Sequence, residues 1–92
     1  MTIEERIKTE YGCDSRHVAS EPVYEDFHGR VAWQGTVEVF DLIGHPEARR
    51  AYAWIYSEGN QDHTVIVLEK PPVDSPQSAV KVAIAAKARN SE

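Results

Sequence analysis

The 92-residue sequence predicts an α+β domain: a short N-terminal helix, a three- to four-stranded antiparallel meander sheet, and a C-terminal helix packed on one sheet face as a two-layer sandwich. Three observations carry this. Ile3, Ile7 and Tyr11 fall four apart, which is a helical stripe. Runs rich in β-branched and aromatic residues follow, separated by turn clusters such as "GHPEA" and "EGNQD". An alanine-rich segment behind Ser75-Pro76 closes the chain. The connections are short, so neighbouring strands are expected to pair in sequence, within a single domain over 1–92.

The first helix is expected over about 2–11. Thr2 and Glu5 have the spacing of a capping box, and Gly12 stands where a left-handed residue ends a helix. Glu4–Lys8 and Arg6–Glu10 are i,i+4 ion pairs. A helix this short needs a surface to dock on. "CDSRHVASEP" reads as a polar connection, with a short edge strand at most near Val18, since Pro22 suits an edge. Strands are expected at about 23–27, 31–43, 49–57 and 63–69. Gly35 inside the second marks a bulge or a close approach of another backbone. Pro71 and Pro72 stop the last strand. Ser75 is an N-cap for a helix over about 76–89, with Lys87 and Arg89 at its negative end.

Taking 44–48 and 58–62 as the hairpin loops sets a register. Val39 then lies opposite Ala53 and Phe40 opposite Tyr52, while Trp54 lies opposite Ile66. One face collects Val37, Val39, Ile43, Ala53, Ile55, Val65 and Val67, with small residues to seat the C-terminal helix. The other collects Phe40, Leu42, Tyr52, Trp54, Tyr56, Ile66 and Leu68. Four aromatics and three aliphatics exceed the roughly 300–600 Å² of the largest apolar patch on a typical monomer. Something must cover that face, and the first helix offers only three apolar side chains.

The leading expectation is therefore a small interaction or structural protein of unknown function that forms a homodimer through Phe40, Tyr52, Trp54 and Tyr56, because tryptophan and tyrosine are the usual interface anchors. The alternative is a domain binding a small anionic or aromatic ligand, or a small enzyme. Its pocket would lie between sheet and helix, walled by Trp33 or Trp54, with His45, Arg49 and Arg50 as an anion site.

Composition bounds the rest. A net charge of −5 speaks against nucleic acid and anionic membranes. The helix–strands–helix order is shared with double-stranded-RNA-binding domains, but the last helix here starts Ser75-Pro76-Gln77-Ser78 rather than with a lysine cluster. The charged N-terminus has no apolar signal core, no run is long enough to span a bilayer, and Cys13 has no intrachain partner, so a cytoplasmic location is expected. The four histidines are scattered, and Cys13 with His17 makes only half a metal site, so no metal or cofactor is expected. Asp26 beside His28 is the nearest approach to a general-base pair, and no catalytic residue is assigned.

Overall fold

The computed structural model describes residues 2–27 and 29–90, with side chains at all of these except 27, 32 and 87–90. His28, and the side chains of Lys87 and Arg89, lie outside the described residues. Helix α1 (Ile3–Tyr11) precedes strands β1 (Asp14–Phe27), β2 (Arg30–Ile43), β3 (Arg50–Glu58) and β4 (Gln61–Leu68), and helix α2 (Pro76–Asn90) follows. The class is α+β. The strands form one antiparallel sheet in the order β1-β2-β3-β4.

Local chemistry sets the helix ends. The Thr2 hydroxyl accepts from the Glu5 N–H, and the Glu5 carboxylate accepts from the Thr2 N–H, both at 3.1 Å. Gly12 closes α1 at φ 70°, a conformation a side chain would strain. At α2 the Ser75 hydroxyl accepts from the Ser78 N–H, while the Ser78 hydroxyl accepts from the Ser75 N–H. This is the same reciprocal arrangement, with serine in the place of glutamate.

Residues 14–22, expected as a connection, are strand. β1 pairs with β2 from Asp14 opposite Ile43 to Phe27 opposite Arg30. The polar composition of 14–22 is compatible with pairing because β1 is an edge, and most side chains of this stretch are exposed. A shift of register at Val18 corrects the phase, as a bulge does.

A second correction concerns faces. Val39 lies opposite Tyr52, not Ala53, and Trp54 lies opposite Val65, not Ile66. The cause is loop parity. The β3–β4 hairpin turns on two residues, Gly59 and Asn60, with Gly59 at φ 63°. The β2–β3 connection spans residues 43–48, closed by the Leu42 N–H donating to the Arg49 carbonyl at 2.8 Å. Two odd loops become two even ones, and β3 is flipped relative to both neighbours.

The flip decides the layering. Tyr52, Trp54 and Tyr56 share a face with Val37, Val39, Val65 and Val67, and α2 packs there through Ala79 and Val80. Ala51 and Ala53 face the other way, where Ile7 of α1 packs with Phe40 and Cys13. Phe40 therefore does not join the tyrosines and Trp54. Ile43 and Ile55, expected beneath α2, are exposed. Each face carries one helix, so the fold has three layers rather than two.

β2 and β3 pair only over Glu38–Asp41 and Arg50–Ala53. The Leu42–Arg49 bond continues this ladder on one side; on the other, beyond Glu38 and Ala53, the described residues show no pairing between the β1–β2 and β3–β4 hairpins. Trp33 from one and Trp54 from the other meet across the divide, ring centroids 5.5 Å apart and planes tilted by 59°.

Candidate functional site: an apolar pocket beneath α2

The parted hairpins and α2 enclose the candidate site. Polar contacts pin the start of α2 above β1. The Gln77 amide donates to the Tyr24 carbonyl at 2.9 Å and to the Glu25 carboxylate, and Lys81 Nζ stands 4.0 Å from Glu25 Oε1. Ala79 and Val80 are fully buried at this end. One turn further on, Ala83, Ile84 and Ala86 are only half-buried and line a cavity of about 460 Å³. Its floor is Val65 and Val67, and its walls include Trp33, Trp54 and Tyr56.

The walls are held from behind. Trp54 is 4% exposed and Tyr52 1%. The Tyr52 hydroxyl donates to the Glu69 carboxylate, and burial together with that neighbour raises the phenol well above the ordinary tyrosine range. Tyr56 stacks on His63, with centroids 5.0 Å apart and planes 22° from parallel. Trp33 lies across Gly35, where a methyl group would come within 3.0 Å of the indole. What approaches Gly35 is thus a side chain, neither the bulge nor the neighbouring backbone its place in the strand suggested.

Comparison with protein-family models, with curated protein sequences and with solved structures gives no match.

Among the described lining residues only Tyr56 carries an ionisable group. The expected anion site lies elsewhere, and its members separate. Arg49 and Arg50 line an open depression of about 620 Å³ together with Arg16, Asp41 and Glu69. Asp41 bridges two of these arginines, 3.1 Å from Arg50 Nε and 3.3 Å from Arg16 Nη2. Arg50, with Arg16 assisting, holds the Asp41 carboxyl below its usual range. Much of the cationic charge is thus answered internally. His45 does not line this depression. Its Nδ1 accepts from the N–H groups of Glu47 and Ala48 at 3.1 and 2.9 Å, and its ring meets Tyr11 edge-on. It shapes its own loop. Arg16 was not foreseen, because only the pairing of Arg16 with Asp41 brings it there.

A second cluster, also unforeseen, sits on the α1 face. His17 Nε2 lies 2.9 Å from Glu38 Oε1 and 3.3 Å from Ser20 Oγ, and Ser20 also donates to Glu38. A serine–histidine–acid relay needs the serine on one ring nitrogen and the acid on the other. Here both use Nε2, so the cluster holds β1 to β2 without forming a relay. Cys13 is buried against α1, and no group of three metal-ligating side chains occurs among the described residues. No described helix is long and apolar enough to cross a membrane.

Proposed function

We propose that this chain is a small-molecule-binding domain whose ligand is an uncharged, largely apolar molecule seated beneath α2 against Trp33, Trp54 and Tyr56. The observation that carries the reading is the pocket of about 460 Å³, which falls within the roughly 300–1,000 Å³ usual for such sites. Its described lining favours binding over catalysis, since the aliphatic and aromatic groups described there offer no acid–base pair or nucleophile beside an oxyanion site. It also favours an aromatic or aliphatic ligand over an anion, because Arg49 and Arg50 line a different depression. A cytoplasmic location belongs to the same reading, supported by the single, buried Cys13.

Calorimetric titration with 2-naphthol, flat and uncharged at neutral pH, tests it. Saturable heat is expected from the wild type and none from Ala83→Trp, which fills the pocket from the half-buried side of α2. Absence of saturable heat from the wild type, or equal binding by Ala83→Trp, contradicts the proposal.

Self-association through an aromatic face loses its original motive, because α2 covers Tyr52 and Trp54.

A further inference from the structure

We infer that His63 is the polar contact of this pocket and selects ligands with one hydroxyl group on an apolar frame, a role that rests on the pocket being the binding site. β3 and β4 set three residue pairs in a row on the α2 side of the sheet. Tyr52 stands opposite Val67, Trp54 opposite Val65, and Tyr56 opposite His63. Residues opposite one another in an antiparallel pair share a face. Val67, Trp54, Val65 and Tyr56 line the pocket. His63 is the next side chain on that face, at the end of the floor.

The distances suit a contact with something seated on the floor. His63 lies two residues along β4 from Val65, about 7 Å. It lies diagonally across from Trp54, roughly 7–8 Å away. Its ring stacks on Tyr56, so a wall of the pocket also holds the imidazole in place. A pair of fused rings resting on Val65 can bring a group at its end to that imidazole.

Other polar groups of the same kind are already committed. The Tyr52 hydroxyl, at the opposite end of the row, donates to Glu69. His17 Nε2 is engaged by Glu38 and Ser20, and His45 Nδ1 by two backbone N–H groups of its own loop. His63 differs from both. It is half-buried, and among the described residues its ring nitrogens have no hydrogen bond or ion pair. A polar group drawn part-way out of water is penalised unless a partner replaces the lost bond. A ligand on the pocket floor can be that partner.

The chemistry of the imidazole names the ligand group. In its neutral form it carries one N–H and one bare nitrogen. A hydroxyl accepts from the first or donates to the second, so it fits whichever nitrogen it meets. A carboxylate can only accept, and the net charge of −5 works against it. The remainder of the ligand meets Val65, Val67 and Ile84, which reward apolar surface alone.

The test is an NMR titration of the ¹³C-labelled protein, read at the Val65 and Val67 methyl groups. The two ligands are 2-naphthol and naphthalene, which is the same frame without the hydroxyl. A pocket with no polar contact holds naphthalene more tightly, because a buried hydroxyl without a partner is penalised. With His63 in its role, the wild type should hold 2-naphthol about fivefold more tightly than naphthalene. His63→Phe keeps a ring against Tyr56 and loses both nitrogens. It should still bind naphthalene and should reverse the order of the two ligands. His63→Gln, which keeps a donor and an acceptor, should retain part of the preference for 2-naphthol. Equal affinities in the wild type, or a preference for 2-naphthol that survives in His63→Phe, overturn the inference and leave the pocket standing. A wild type that binds neither compound removes the pocket as well.

Discussion

Val39 stands opposite Tyr52, one residue from the Ala53 that a five-residue loop would have set there. That displacement puts Tyr52, Trp54 and Tyr56 beneath α2 and turns an aromatic row from an uncovered surface into the wall of a pocket.

Trp54→Ala should cost about 3–5 kcal/mol in chemical denaturation, as truncation of a buried large side chain does. That is a large part of the stability of a small domain. Trp54→Phe should cost clearly less. A loss below about 1 kcal/mol for alanine is what an exposed position would give, and would place Trp54 outside the core.

Gly35→Ala should disturb the pocket without entering it. The added methyl lies 3.0 Å from the Trp33 ring, so the indole must give way. A cost of about 1–3 kcal/mol is expected, as for other overpacking, with weaker binding of 2-naphthol. Unchanged affinity and unchanged tryptophan fluorescence would show that the ring is not in contact.

Ala53→Leu tests the other face. Ala53 is fully buried in the cluster with Ile7 and Phe40, so the larger side chain should push on α1 and cost about 1–3 kcal/mol. The proton resonances that move should be those of Ile3 and Ile7, not of Val80 and Ala83.

Tyr52 should make the protein alkali-sensitive. Its phenol is raised in the folded state by burial and by the Glu69 carboxylate. Above pH about 10 the unfolded chain releases this proton while the folded chain keeps it, so stability falls as pH rises. The contribution is intact below the ordinary tyrosine range and declines through it. Tyr52→Phe should remove that part of the decline. Near neutral pH it should cost about 1–3 kcal/mol, because Glu69 loses its donor. Parallel pH profiles for wild type and Tyr52→Phe would refute the assignment.

Much of the local structure was legible in the sequence. Thr2 with Glu5, Gly12, and Ser75 with Pro76 mark helix ends through backbone chemistry that needs no tertiary partner. The faces were not legible from apolar pattern, because β3 reads Ala-Tyr-Ala-Trp-Ile-Tyr and both of its sides are apolar enough to be buried. Only loop parity separates the alternatives. One signal was present: Gly59-Asn60 is a two-residue hairpin pair. The end of β1 at 23–27 was legible, but residues 14–22 read as a connection with at most a short edge strand near Val18, because an edge strand need not alternate. Of the candidate site, a pocket between sheet and helix walled by Trp33 or Trp54 was in view as the alternative, but not its boundaries, which depend on where β2 and β3 stop pairing.

The most direct test of the central claim is an intermolecular NOE spectrum of the ¹³C-labelled protein with unlabelled 2-naphthol. The account predicts contacts from the ligand ring to the methyl groups of Val65, Val67, Val80 and Ile84 and to the Trp54 indole. Contacts to Ile3, Ile7 or Leu42 instead, or none at all, would contradict it.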